Sequence, residues 1–153
     1  AVFAMGAAQF LFGHGDGAAN SALWAMYAGV GVTLGHNFPF YLHFRGGKGI
    51  ACLAGILSTM DLRIMVSCML VFGLAVGITR YVSLGSILVS LVFLAELIFF
   101  GSQGSYQVTE ACFPEFCILG AFLTFMAIWR HRANIKRLLS GTENKLGAKK
   151  KTS

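Results

Sequence analysis

The amino-acid sequence predicts an all-α protein, a polytopic bundle with about five to six helices in a membrane. Hydrophobic residues make up 56% of the 153 residues and charged residues only 12%, whereas an ordinary soluble domain is about 25% charged. The mean hydropathy is +0.71. Because so little charge cannot cover a globule of this size, lipid must surround much of the chain. The apolar runs do not alternate with polar residues, which favours helices over strands.

Each predicted helix corresponds to an apolar run. The runs are Ala1–Phe12, Ala18–Leu34, Ile50–Met60, Ile64–Ile78, Leu84–Phe100 and Ala111–Trp129. A membrane span needs about 20 apolar residues, with about 17 as the minimum. The second, fifth and sixth runs therefore qualify alone. The third and fourth runs are short, and form either a tilted pair, a re-entrant hairpin, or two helices that are extended by their flanks.

Close helix packing is predicted at two pairs of glycines. Gly31 and Gly35 are four residues apart, as are Gly73 and Gly77. Small residues at this spacing lie on one face of a helix and let a second helix approach closely. We therefore expect these four glycines to lie at helix–helix contacts.

The distribution of basic residues predicts two regions and an orientation. Eight of the twelve Lys and Arg residues lie between Arg130 and Lys151. We divide the chain into a helical membrane domain, residues 1–129, and a basic cytoplasmic tail, residues 130–153, because basic segments stay on the cytoplasmic side. If both short runs cross the membrane, the loop Gly101–Glu110 lies outside, and every basic cluster faces the cytoplasm.

A glycine-rich segment predicts a phosphate cradle. Residues 46–49 read GGKG and directly precede an apolar run. Glycines allow backbone N–H groups to point together at an anion, Lys48 adds a positive charge, and the following helix N-terminus favours negative charge. The segment is not a Walker A loop, because glycine follows Lys48. The alternative is a basic turn at the membrane edge.

Two further polar clusters fall on the same predicted side. Residues 79–86, TRYVSLGS, contain Arg80 and Ser83, and residues 131–143, HRANIKRLLSGTE, contain His131 and Asn134 on one helix face. Each cluster has a simpler interpretation, as a headgroup anchor or as a polybasic lipid-binding patch. Three anion-friendly clusters at one membrane face together indicate a phosphate-bearing ligand.

These motifs resemble those of a known family. The segments GHNFPFYLHFRGGKG, TRYVSLG and HRANIKRLLSGTE, in this order, are similar to the bacterial acyl-phosphate:glycerol-3-phosphate acyltransferases, small polytopic membrane enzymes of phospholipid synthesis. The resemblance runs from about Ala18 to Glu143. It implies a multi-pass protein of the bacterial inner membrane, with the active face and the C-terminus in the cytoplasm.

The resemblance also implies roles for individual residues. In the family, the glycine loop binds the phosphate of glycerol 3-phosphate, and a histidine and an asparagine of the last motif are needed for activity. The catalytic positions are then His131 and Asn134, and Glu143 is structural. The substrate-binding positions are His36, Gly46, Gly47, Lys48, Gly49, Arg80 and Ser83.

The implied reaction transfers an acyl group from acyl phosphate to the 1-hydroxyl of glycerol 3-phosphate, giving 1-acyl-glycerol 3-phosphate and phosphate. Acyl phosphate is already activated, so the leaving phosphate can accept the proton; His131 either acts as a base or binds phosphate. We predict no cofactor and no metal, because the sequence contains no metal-ligand cluster and no nucleotide-binding loop. The expected partners are the two substrates and membrane lipid, with no nucleic acid and no predicted oligomeric state.

Two other functions fit part of the pattern. A transporter of organic phosphates would also bind phosphate, but transporters bind near the membrane midplane, within repeated halves, and the sequence has no internal repeat. A non-catalytic membrane subunit with a lipid-binding tail explains the basic residues but not the three ordered motifs.

The sequence departs from the family pattern at its start. The family carries an N-terminal loop of the type S-G-N-x-G-A-T-N, with a serine and a nearby arginine needed for activity, and no segment before Gly35 matches it. The chain begins with alanine and is immediately apolar, without the basic region of a signal peptide. We therefore expect a fragment or a processed chain that lacks about the first quarter of the family's length.

Overall fold

The computed structural model describes residues 1–148, which contain seven α-helices and no strand. The helices are α1 Val2–Phe12, α2 Ser21–Asn37, α3 Ile50–Met60, α4 Leu62–Thr79, α5 Val82–Ser102, α6 Phe113–Arg130 and α7 Arg132–Leu139. Short 3₁₀ turns occupy Gly15–Asn20 and Phe40–Leu42. The predicted all-α membrane bundle is confirmed. Residues 149–153, the end of the predicted tail, lie outside the described residues.

Within residues 1–148, three helices are long and apolar enough to cross a membrane: α4, α5 and α6. The short run at 64–78 is therefore extended by its flanks, since α4 has 18 residues. The side chain of Asp61 accepts the N–H of Arg63 at 2.8 Å and caps this helix. In contrast, α2 has 17 residues, and α1 and α3 have 11 each, which is about 16 Å of helix.

The core lies where the helices α1 to α6 meet. It is built from large apolar side chains that are fully buried, among them Met5, Met26, Ile56, Phe93, Leu97 and Phe116. Helix α5 packs along both α4 and α6, and α2 packs against α1, α3 and α6. The helices on which the polar motifs lie are therefore held to one another by apolar packing.

The glycine pairs do not pack as predicted. A Cβ added at Gly31, Gly35, Gly73 or Gly77 would meet nothing within 4 Å among the described residues. The close contacts are made by glycines outside these pairs, because the paired positions of α2 and α4 face away from the bundle. A Cβ at Gly120, for example, would lie 2.4 Å from Leu97, where α6 meets α5.

The polar segments separate into two groups at opposite ends of the bundle. At one end, the guanidinium of Arg63 lies 4.2 Å from the ring centre of Phe100, and the N–H of Thr109 donates to Asn20 at 2.9 Å. At the other end, the glycine-rich loop, the α4–α5 junction and the α6–α7 junction come together, as described below. The loop Gly101–Glu110 and the three polar motifs thus lie at opposite ends of the bundle, as predicted. That the motifs face the cytoplasm stays a prediction.

Candidate active site

A polar cleft of about 500 Å³ opens at the end of the bundle where the three motifs meet. Its lining is His36, Lys48, Ile50, Ala51, Phe72, Val82, Ser83, Ser86, His131, Asn134, Glu143 and Asn144. These residues come from the end of α2, the glycine-rich segment and the start of α3, the body of α4, the start of α5, the α6–α7 segment and the residues that follow α7. Six of the ten predicted site residues line the cleft.

The remaining four predicted residues, Gly46, Gly47, Gly49 and Arg80, lie outside this lining as far as the described chain shows. The N–H of Gly46 donates to the carbonyl of Asn37 at 3.2 Å, and the N–H of Gly47 donates to the carbonyl of His36 at 3.3 Å. The structure therefore differs from the expectation that these N–H groups point together at an anion. They hold the loop against the end of α2 instead.

Steric contacts explain why glycine occupies these positions. A Cβ at Gly46 would lie 2.0 Å from the carbonyl oxygen of His36, and a Cβ at Gly47 would lie 2.2 Å from the imidazole Nε2 of His36. Gly49 has a φ of 79°, which places it in the left-handed region directly before α3. The loop is thus rich in glycine because it packs tightly against α2 and turns sharply into α3.

Arg130 holds the same loop from the other side, and sequence reasoning missed this role. Its Nε donates to the carbonyl of Gly47 at 2.9 Å, and its Nη2 donates to the carbonyl of Gly46 at 2.5 Å. Its guanidinium also lies 5.5 Å from the ring centre of Phe38. The available signal was that Arg130 directly precedes His131. An arginine at the end of α6 can donate two hydrogen bonds to a neighbouring segment.

Two positive groups face the cleft at the start of α3. The Nζ of Lys48 donates to Oδ1 of Asn134 at 2.7 Å. Ile50 and Ala51, the first residues of α3, also line the cleft. The first N–H groups of a helix have no partner within the helix and carry the positive end of its dipole. Together with Lys48, this helix end favours an anion in the cleft.

His131 sits at the junction of α6 and α7 with only 2% of its surface exposed. Its Nδ1 lies 2.8 Å from the carbonyl oxygen of Ala127. Because a carbonyl only accepts, Nδ1 carries the proton, and Nε2 of the neutral ring is an acceptor. Burial is the main cause that lowers the pKa of His131, and Lys48 lowers it further. The imidazole is therefore neutral at pH 7.

Glu143 closes a hydrogen-bond network across the cleft. Its Oε1 accepts from Ser83 at 2.8 Å and from Nδ2 of Asn134 at 2.7 Å, while its Oε2 accepts from Nε of Arg137 at 2.7 Å. Burial acts to raise the pKa of this carboxyl, but these hydrogen bonds and the charge of Arg137 hold the pKa below its usual value. Glu143 is an anion that joins α5 to α7.

Arg80 is exposed and binds the chain beyond α7. Its Nε donates to the carbonyl of Leu146 at 3.1 Å, and its carbonyl accepts the N–H of Leu146 at 2.7 Å. The φ of Arg80 is 62°, so it ends α4 in the left-handed region. The structure therefore places Arg80 at the base of segment 143–147, beside Ser83 but not in the cleft.

An apolar groove of about 220 Å³ lies next to the polar cleft. The two cavities share Ile50 and Phe72. The rest of the groove is lined by Ala54, Leu57, Cys68, Met69 and Val89, from α3, α4 and α5. A ligand with an anionic head and an apolar tail can therefore occupy both cavities at once.

Comparison with known proteins gives the same family as the motifs. A sequence profile described as Glycerol-3-phosphate acyltransferase matches residues 1–141. A glycerol-3-phosphate acyltransferase of Thermoanaerobacter sp. (strain X514) is 42% identical over 126 residues, which are 82% of this chain and 58% of that protein. One of Halalkalibacterium halodurans is 39% identical over 133 residues, 85% of this chain and 60% of that protein. The chain thus spans about three fifths of the length of these curated relatives.

Solved structures agree with the profile. The crystal structure of PlsY (YgiH), an integral membrane glycerol 3-phosphate acyltransferase, in its lysophosphatidic acid form superposes with a TM-score of 0.75 at 27% identity, covering 95% of this chain and 66% of that one. The glycerol 3-phosphate form superposes with a TM-score of 0.67 at 28% identity, over 81% of this chain and 57% of that one. Sequence and fold therefore lead to one conclusion: this membrane protein belongs to the glycerol-3-phosphate acyltransferase family.

Proposed function

We propose that the protein transfers an acyl group from acyl phosphate to the 1-hydroxyl of glycerol 3-phosphate, giving 1-acyl-glycerol 3-phosphate and inorganic phosphate. One observation carries the proposal: a polar cleft with a cation, a helix N-terminus and a neutral imidazole adjoins an apolar groove. The cleft suits a small phosphate ester and the groove suits an acyl chain. Family membership, and the glycerol 3-phosphate form of PlsY, support the same substrate.

The acceptor's phosphate is held where positive charge converges. Lys48 supplies an ammonium group, and the first N–H groups of α3 supply hydrogen-bond donors beside it. The loop through Gly46 and Gly47 acts indirectly, since it fixes the direction of Lys48. Ser83 and Asn134, both held by Glu143, add neutral hydrogen-bonding groups around the glycerol.

The chemical step needs positioning more than covalent catalysis. An acyl phosphate is a mixed anhydride, so attack by the 1-hydroxyl oxygen on the acyl carbonyl carbon forms the ester bond and breaks the bond to the phosphate oxygen. His131 accepts a hydrogen bond from the attacking hydroxyl through Nε2, because its Nδ1 proton is directed at Ala127. The hydroxyl proton ends on the released phosphate. Lys48 and the helix end stabilise the charge that develops.

The acyl chain lies in the apolar groove between α3, α4 and α5. The groove begins at Ile50 and Phe72, which also border the cleft. The acyl carbonyl is then held at the boundary of the two cavities, next to the glycerol hydroxyl. The lipid product leaves toward the membrane because the groove is lined by membrane helices.

The active end of the bundle faces the cytoplasm, and the protein lies in the bacterial inner membrane. The basic residues at this end, including Arg130, Arg132 and Lys136, support this orientation. A cysteine-free variant with single cysteines at position 48 or 105 tests it with an impermeant thiol reagent in intact cells. Labelling is expected at position 105 only, and labelling at position 48 alone would reverse the orientation.

An assay of the complete protein in vesicles, with acyl phosphate and glycerol 3-phosphate, tests the reaction. We expect ester product and phosphate in equal amounts, and no need for acyl-CoA. His131→Ala and Asn134→Ala should abolish most turnover while inserted protein is retained. Arg132→Ala is the matched control, since Arg132 is exposed on the same helix and outside the cleft lining. Uptake of glycerol 3-phosphate into the vesicles without product would show transport instead.

A further inference from the structure

We propose that residues 38–45, here named the aromatic loop, dock on the lipid–water interface of the membrane at the active end of the bundle. Four apolar side chains project from this loop into the surroundings: Phe40 is 78% exposed, Tyr41 71%, Leu42 51% and Phe44 63%. They lie on the 3₁₀ turn Phe40–Leu42 and directly after it, and not on an α-helix that faces lipid. The inference concerns lipid contact only, and it does not depend on the reaction.

The hydrogen bonds within the aromatic loop allow its backbone to enter a partly apolar environment. The N–H groups of Leu42 and Phe44 donate to the carbonyl of Pro39 at 3.1 and 3.0 Å. The N–H of His43 donates to Phe40 at 3.2 Å, and that of Arg45 donates to Leu42 at 3.0 Å. Unsatisfied backbone groups are what keep irregular segments out of lipid. Four consecutive N–H groups here are satisfied within the loop itself.

The exposure of these side chains is maintained against a backbone cost. His43 has a φ of 51° and Phe44 a φ of 60°. A left-handed conformation is uncommon for residues other than glycine, and it is unfavourable for a bulky aromatic residue. The fold therefore holds Phe44 outward in a backbone conformation that glycine adopts more easily.

The level of the aromatic loop identifies the membrane as its partner. Arg130, the last residue of the membrane-length helix α6, bonds Gly46 and Gly47, directly after the loop, and lies against Phe38 of the loop. Its neighbour Trp129 is 51% exposed. Aromatic side chains concentrate at the membrane interface, where a helix leaves the hydrocarbon. The loop lies at that level, and Arg45 and Arg130 suit the anionic headgroups there.

Tryptophan fluorescence in vesicles tests the proposal. The complete protein carries Trp24→Phe and Trp129→Phe, any tryptophan outside residues 1–153 is replaced likewise, and Tyr41→Trp reports on the loop. In vesicles of phosphatidylglycerol and phosphatidylcholine, we expect blue-shifted emission that lipid brominated near the headgroup quenches strongly. Thr142→Trp is the control, because Thr142 is exposed at the same end of the bundle. Its emission should be red-shifted and weakly quenched.

Equal, weak quenching at both positions would overturn the proposal. Emission that turns blue only after a soluble cell fraction is added would also overturn it, and would assign the loop to a protein partner. A second measurement uses the unaltered protein, in case the tryptophan-free background does not fold. A lipid with a photoactivatable diazirine near its headgroup should label the peptide that contains Phe40 and Phe44, and not the one that contains Thr142. Labelling of the second peptide alone would contradict lipid docking.

Discussion

The Nζ of Lys48 lies 2.7 Å from Oδ1 of Asn134, and Nδ2 of the same amide lies 2.7 Å from Oε1 of Glu143. One asparagine side chain therefore separates an ammonium group from a carboxylate and bonds to both. The amide can do this because it offers an acceptor at one atom and donors at the other. The contact joins the glycine-rich loop to a helix 86 residues later in the chain.

Glu143 is expected to stabilise the fold more than it affects the chemistry. Glu143→Ala leaves Ser83 and Asn134 without their acceptor, and each lost hydrogen bond to a charged group costs about 1.5–3 kcal/mol. Glu143→Gln keeps an oxygen for both and loses mainly the ion pair with Arg137, whose side chain is 41% exposed, so the cost is about 1 kcal/mol or less. Thermal unfolding in detergent measures both. Equal loss from the two changes would contradict this order.

The pH dependence of turnover should report the neutral form of His131. Because burial lowers its pKa in the folded protein, the neutral ring stabilises the fold above the unfolded value of about 6.5. This contribution to the free energy of unfolding is lost as the pH falls from about 6.5 through the pKa of His131 in the folded protein. The acid limb of kcat/KM is expected below pH 6.5.

Two substitutions should move this limb in opposite directions. Lys48 lowers the pKa of His131 and Glu143 raises it. Lys48→Gln should therefore shift the limb to higher pH, and Glu143→Gln should shift it to lower pH. Histidine NMR titration checks the same directions without turnover. Shifts of the same sign would show that the charges do not act on His131.

Gly47 and His36 should be energetically coupled. A Cβ at Gly47 would overlap the imidazole of His36, so Gly47→Ala should displace His36 and cost about 1–3 kcal/mol in stability or substrate binding. His36→Ala removes the obstructing ring. The double variant should then be no worse than His36→Ala alone, in the KM for glycerol 3-phosphate and in thermal stability.

Two glycine variants serve as controls for this coupling. Gly46→Ala meets the backbone carbonyl of His36, so His36→Ala should not rescue it. Gly31→Ala lies on the same helix as His36 and meets nothing within 4 Å in the described chain, so it should be neutral or stabilising by up to about 1 kcal/mol. Additive effects of the Gly47 and His36 changes would indicate that Gly47 acts otherwise, for example by binding substrate.

Arg130 should act through the geometry of its guanidinium and not its charge alone. Arg130→Lys keeps the charge but cannot make both bonds to Gly46 and Gly47 in the same planar arrangement. Loss of one such bond weakens binding by about tenfold or more. We therefore expect the KM for glycerol 3-phosphate to rise by this factor, with kcat less affected. Arg132→Lys is the matched control. If Arg130→Lys behaved like the unaltered protein, positive charge would be sufficient.

Part of the candidate site could be predicted from sequence. The sequence predicted that His36, Lys48, Ser83, His131, Asn134 and Glu143 belong to one site, and all six line the cleft. These residues lie in three motifs, and the positions of the apolar runs place those motifs at one end of the bundle. The roles of individual residues were harder to predict. Arg80 bonds to Leu146 outside the cleft, and no motif indicates that Arg130 bonds to Gly46 and Gly47.

The sequence by itself determined the helices and the family. Hydropathy depends on local composition, so α4, α5 and α6 can be recognised whatever they pack against. The order of the three motifs is likewise read from the sequence and indicates the family. Only the tertiary structure decided where each hydrogen bond goes. The N–H groups of Gly46 and Gly47 bind α2, and the paired glycines Gly31, Gly35, Gly73 and Gly77 face outward. Such directions depend on atoms far apart in the chain, which no local pattern specifies.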